Sequence, residues 1–133
     1  MTEDTTPKQK ILIIEDNAVN AKLLTLFLKA GGFEVIHALD GYTGLNTAKS
    51  EPGLNAILLD RIMPDMDGLD VLRTLKLSAQ SYNVPVIMLT AALSAQQIEE
   101  AKIVGAYACL RKPYDKDKII NTVNEAIKNR RES

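Results

Sequence analysis

Ala56-Ile57-Leu58-Leu59-Asp60-Arg61-Ile62-Met63-Pro64-Asp65-Met66-Asp67-Gly68 is the stretch whose reading decides the fold. Its unbroken apolar run reads as a strand buried on both faces, as in a parallel sheet covered by helices. The run ends on a carboxylate, passes through turn-forming residues, and gives way to Gly68, Val71, Leu72 and Leu75 at helical spacing. Strand, turn and helix form the repeating unit of α/β folds, whose ligands gather outside the C-terminal ends of the strands. Asp60 stands at such an end. Taken alone, it reads first as a cap for the following turn or helix.

The same unit recurs on both sides. Ile11-Leu12-Ile13-Ile14 reads as a buried first strand, and Asn17 can cap a helix whose Val19, Leu23, Leu26, Phe27 and Ala30 form an apolar stripe, stopped by Gly31-Gly32. Phe33 to Ala38 predicts an edge strand of mixed character, followed by a helix capped by Asp40 and interrupted at Gly44. Pro85 to Leu89 is a fourth strand. Ser94 and Gln97 have the spacing of a capping box, opening a helix that turns Ile98 and Ala101 inward and ends near Gly105. Tyr107 to Arg111 is a fifth strand, and Asp115 can cap a last helix with Ile119, Ile120, Val123 and Ile127 inward. Five strands alternating with five helices predict an α/β doubly wound parallel sheet of flavodoxin-like type, in the order 2-1-3-4-5.

The length of 133 residues suits one domain, expected over 10–130, after a polar, flexible tail over 1–9 and with no output domain. With 16 basic and 17 acidic residues, the charge balance gives no sign of a nucleic-acid or membrane partner. The single cysteine, Cys109, excludes an internal disulfide and a cysteine-based zinc site, and suits a reducing cytoplasm. No signal segment or membrane-spanning run is expected.

In the order 2-1-3-4-5 the ends of strands one, three, four and five lie side by side. They carry Glu15-Asp16, Asp60, Thr90 and Lys112. Three carboxylates converging there would repel one another without a cation. Two or three oxygen ligands with retained water describe magnesium rather than a calcium cage or a zinc site. Magnesium in turn implies phosphate. With its charge neutralised, a phosphoryl group can be attacked by an Asp60 oxygen to form an aspartyl-phosphate. Lys112 supplies positive charge opposite the metal, and the Thr90 hydroxyl can hydrogen-bond a phosphoryl oxygen.

From Lys10 to Lys128 the chain resembles the receiver domain of bacterial two-component response regulators. The resemblance rests on Glu15-Asp16, Asp60 with Met63-Pro64 and Asp67-Gly68, Thr90-Ala91, and Lys112-Pro113 at the family's spacings. It implies that Asp60 accepts a phosphoryl group from a histidine kinase or histidine phosphotransfer protein. It also implies magnesium held by Glu15, Asp16, Asp60 and the Ile62 carbonyl, phosphoryl contacts from Thr90, Ala91 and Lys112, and a cis bond before Pro113. The implied protein is a cytoplasmic single-domain regulator of the chemotaxis or cell-cycle type, Asn17 and Asn20 being similar to the latter, and a monomer or weak dimer. Its protein target would sit on the face formed by the fourth helix, fifth strand and fifth helix.

Several positions depart from the family. Where receivers carry Tyr or Phe three residues before the lysine, this chain has Cys109, a small filler. Tyr107, expected on the same strand face, and Tyr114 are candidates for the switch readout or plain packing residues. Ile62 and Ala92, two residues after the aspartate and the threonine, cannot orient a water, so slow self-dephosphorylation is expected. Arg61 is expected to turn away from the site, and His37 to be structural. A nearly complete switch requires roughly 5.5 kcal/mol. Contacts from Thr90 and Lys112 supply about 1.5 to 3 kcal/mol each, so a graded shift assisted by partner binding is expected.

Three other functions share part of this pattern. A haloacid-dehalogenase-type hydrolase needs a second aspartate where Ile62 stands. A flavin carrier of the same fold needs a phosphate loop where Glu15-Asp16 would repel the ligand. A receiver that works without phosphorylation would have lost one of the acidic pair Glu15-Asp16, or Asp60, or Lys112, and none of these is lost.

Overall fold

The computed structural model describes residues 8–91 and 94–132. The elements alternate as β1 (Lys10–Ile14), α1 (Ala18–Ala30), β2 (Glu34–Ala38), α2 (Gly41–Ser50), β3 (Leu54–Asp60), α3 (Gly68–Leu77), β4 (Val86–Thr90), α4 (Ala95–Val104), β5 (Ala108–Arg111) and α5 (Lys116–Glu132). The strands form one parallel sheet in the order β2-β1-β3-β4-β5, as the alternation predicts. The tail expected over 1–9 falls mostly outside the described residues, as does Ala92.

Alternation along the central strands divides the core in two. Leu12 and Ile14 of β1, Ile57 and Leu59 of β3, and Val86 and Met88 of β4 pack with Ala48 of α2, Leu72 of α3 and Ala101 of α4. Ile11, Ile13, Ala56, Leu58, Ile87 and Leu89 face the other way, against Leu24 and Leu28 of α1 and Ile119, Val123 and Ile127 of α5. Burial on both faces explains why these strands read as continuous apolar runs. The helix starts follow the side-chain caps. Asn17 accepts from the Asn20 N–H, Asp40 from Thr43 and Asp115 from Asp117, while Ser94 and Gln97 complete a reciprocal capping box.

The sequence reading chose the wrong face of α1. Ala21, Leu24 and Leu28 are buried, whereas Val19, Leu23 and Leu26 are 76%, 37% and 57% exposed, and Ala30 is exposed. Apolar residues run almost all the way round this helix, so two stripes fit helical spacing equally well. The contacts with α5, β2 and β1 select between them. Gly44 does not interrupt α2 either. A Cβ there would come within 2.6 Å of Ile14 Cδ1, so the glycine lets the helix lie close against β1.

Tyr107 lies just before β5, not within it. Its ring packs on the α5 side while Cys109 packs on the opposite side, so the two do not share a face. The Tyr107 hydroxyl accepts from Asn129 Nδ2 at 2.7 Å.

Candidate functional site

Parallel pairing of β1 and β3 sets Ile14 opposite Leu59, so the next residue on each strand, Glu15 and Asp60, emerges at the same sheet edge. One carboxylate oxygen from each of Glu15, Asp16 and Asp60 lies within 4.8 Å of the others. Glu15 and Asp60 are 0% and 3% exposed, while Asp16 faces solvent. Lys112 enters from the end of β5, its Nζ 3.2 Å from Asp60 Oδ1 and 3.8 Å from Glu15 Oε1.

The backbone fixes these positions. The Arg61 N–H donates to the Leu89 carbonyl and the Lys112 N–H to the Thr90 carbonyl, so the sheet pairing extends past both functional side chains. The Lys112-Pro113 bond is cis, as the resemblance implies. Gly68 opens α3 directly beneath the site: an added Cβ would lie 2.5 Å from the Asp60 carbonyl oxygen and 2.7 Å from Arg61 Cα. Here the glycine is required by backbone contact. Asp65 reaches across to accept from the Gly41 and Tyr42 N–H groups at 3.1 Å each, tying the β3–α3 loop to the start of α2.

Electrostatically the site holds three carboxylates and one nearby ammonium. Burial, then the adjacent Asp60, pushes the Glu15 carboxyl up to about 7, against the opposing pull of the Asn17 N–H and Lys112. An all-oxygen, net negative donor set of this kind fits a hard divalent cation.

Beside Asp60 opens a cleft of about 590 Å³ lined by Ile62, Met63, Asp67, Thr90, Ala91 and Gln97, with Arg61 at its wall. Thr90 is buried at its base, 4% exposed. The Ile62 N–H lies a long 3.5 Å from Asp60 Oδ1, which keeps the residue 62 backbone beside the carboxylate, while the Ile62 side chain is 76% exposed. Arg61 turns away, as expected, to Asp67 at 3.1 Å and Glu100 of α4 at 3.4 Å.

Of the readout candidates, Cys109 and Tyr107 are not gathered here, whereas Tyr114 is. Cys109 lies level with Met88 inside the sheet, its thiol pushed up by burial. Tyr107 donates its N–H to Val86, the first residue of β4, whereas Thr90 is the last, so its ring stands at the far end of the strand pair. The sequence reading missed two contacts to Glu15. The His37 ring nitrogen Nε2 lies 2.8 Å from its carbonyl oxygen, and the Tyr114 hydroxyl donates to Oε1 at 3.2 Å.

The sequence model of the response regulator receiver domain matches residues 11–124. The chain belongs to the response regulator receiver domain family. This receiver domain is 31% identical to the polar-differentiation response regulator DivK of Brucella ovis, over 90% of this chain and 96% of DivK. It is 32% identical to the cell cycle transcriptional regulator CtrA of Caulobacter vibrioides over 90% of this chain, but spans only about half, 50%, of CtrA. Among solved structures it is similar to the receiver domain of the sensor histidine kinase PA1611 from Pseudomonas aeruginosa, which has a magnesium ion coordinated in its active-site cleft. The TM-score is 0.84 and the identity 28%, over 92% of this chain and 99% of that one. Receiver domains are phosphoacceptor signalling proteins rather than turnover enzymes, which fits the acidic cluster at the sheet edge. Among the described residues, no helix is long and apolar enough to cross a membrane.

Proposed function

We propose that Asp60 is the phosphoacceptor of this receiver domain, and that Glu15, Asp16, Asp60 and the Ile62 carbonyl hold the magnesium ion the reaction requires. The observation that carries the reading is the convergence of the three carboxylates with the Lys112 ammonium 3.2 Å from Asp60. When bound, magnesium neutralises charge on the phosphoryl group and the carboxylates. An Asp60 carboxylate oxygen forms the new bond to phosphorus as the phosphorus–nitrogen bond to the donor histidine breaks, and the departing imidazole takes up a proton. Lys112 and the Thr90 hydroxyl then hold phosphoryl oxygens, with Ala91 lining the approach.

The output is a graded change at the surface of α4, β5 and α5, where a protein target binds, in a cytoplasmic monomer or weak dimer. The two new charge-assisted contacts supply about 1.5 to 3 kcal/mol each, against roughly 5.5 kcal/mol for a nearly complete flip. The acyl-phosphate is lost slowly, because the exposed apolar side chain of Ile62 cannot orient a water. The test is transfer from a phosphorylated histidine phosphotransfer protein: uptake should require magnesium, stop with chelator, and raise target affinity. Uptake unaffected by chelator, or equal target affinity in both forms, would contradict this reading.

A further inference from the structure

Among the described residues, Tyr114 is a polar side chain that touches a carboxylate of the acidic cluster and that the phosphoacceptor chemistry leaves without a task. It follows the cis Lys112-Pro113 bond, and its half-buried ring packs against the core on the α1 and α5 side. Its hydroxyl reaches Glu15 Oε1 at 3.2 Å across 99 residues of chain. Glu15 is held from several directions. Its N–H donates to the Ala38 carbonyl, its carbonyl pairs with His37, and its Oε2 accepts from the Asn17 N–H at 3.3 Å. The phenol completes this set at Oε1.

We propose that Tyr114 is a positioning residue for magnesium: its hydroxyl orients the Glu15 carboxylate so that the cluster is set for the cation before it arrives. This rests on the phosphoacceptor reading above. The geometry carries the inference in two steps. Glu15 is fully buried beside Asp60, so fixed donors are what set the rotation at which its carboxylate presents oxygens to a cation. A hydrogen bond from the phenol to Oε1, with the Asn17 N–H on Oε2, fixes the rotation of the carboxylate. Partners that orient a metal's carboxylates typically contribute 10- to 100-fold to metal affinity. A phenylalanine at 114 would fill the same space and lack only the hydroxyl.

Isothermal titration with magnesium chloride of wild type, Tyr114→Phe and Tyr107→Phe tests this, with metal-free melting curves for each. Tyr114→Phe should bind magnesium about 10-fold more weakly with its metal-free melting unchanged. Tyr107→Phe, altered at the far end of β5, should bind like wild type. Equal or tighter binding by Tyr114→Phe would overturn the inference alone, whereas a wild type that binds no magnesium would overturn the phosphoacceptor reading beneath it. A second readout needs no variant: with all 4 tyrosines labelled at the ring Cζ carbon, one resonance should shift on adding magnesium. No shift in any of them would also overturn the proposal.

Discussion

The Lys112 ammonium lies 3.2 Å from Asp60 Oδ1 and 3.8 Å from Glu15 Oε1, bringing the cation at the end of β5 to the two buried acids that follow β1 and end β3. Lys112 is thus the positive charge paired with the buried Asp60 and the group that can meet an incoming phosphoryl oxygen. Replacing it with methionine keeps the length of the chain and removes the charge. Lys112→Met should slow phosphoryl uptake from a small acyl-phosphate by about 100-fold. Stopped-time mass spectrometry measures this, and a rate within a few-fold of wild type would show that the ammonium is not used.

The raised Glu15 carboxyl gives a pH signature in metal-free protein. Its folded value, pushed up to about 7, exceeds its ordinary 4.5, so the folded state binds the proton more tightly than the unfolded chain. The associated stability is therefore fully present below the ordinary value and is lost as pH rises through about 7. Melting curves in chelator should show a falling midpoint from about pH 5 to about pH 8, and magnesium should reduce the fall because it favours the ionised carboxylate. A midpoint that rises across this window in chelator would contradict the assignment.

Gly68→Ala tests the backbone contact beneath the site. The added methyl meets the Asp60 carbonyl and Arg61 Cα, neither of which can swing aside. A cost of about 1 to 3 kcal/mol in urea unfolding is expected, together with impaired phosphoryl uptake. An unchanged midpoint would mean that α3 can shift away from β3 freely.

How much of this was legible in the sequence depends on the range of the contact. The continuous apolar runs of β1, β3 and β4, the caps Asn17, Asp40 and Ser94, and the strand-end residues Glu15, Asp60, Thr90 and Lys112 are local signals, and the sheet order follows from them by topology. The α1 face was illegible, because Ala21, Leu24, Leu28 and Val19, Leu23, Leu26 are both apolar helical stripes. So was the Tyr114–Glu15 hydrogen bond, which joins residues 99 apart with no local pattern to announce it. Tyr107 was misplaced because strand alternation was extended one residue past the strand's start.

The α1 correction is itself testable. Leu24 is fully buried and Leu26 is 57% exposed, although they are only two positions apart. Leu24→Ala should cost about 2 to 5 kcal/mol in denaturant unfolding, and Leu26→Ala within about 0.5 kcal/mol. The reverse ranking would restore the face first read from the sequence.

Whether Asp60 takes the phosphoryl group is tested most directly by intact mass. Wild type and Asp60→Asn are each mixed with magnesium and a small acyl-phosphate donor and weighed over time. Wild type should gain the mass of one phosphoryl group and Asp60→Asn none. No gain in wild type, or an equal gain in Asp60→Asn, would contradict the assignment of Asp60 as the phosphoacceptor.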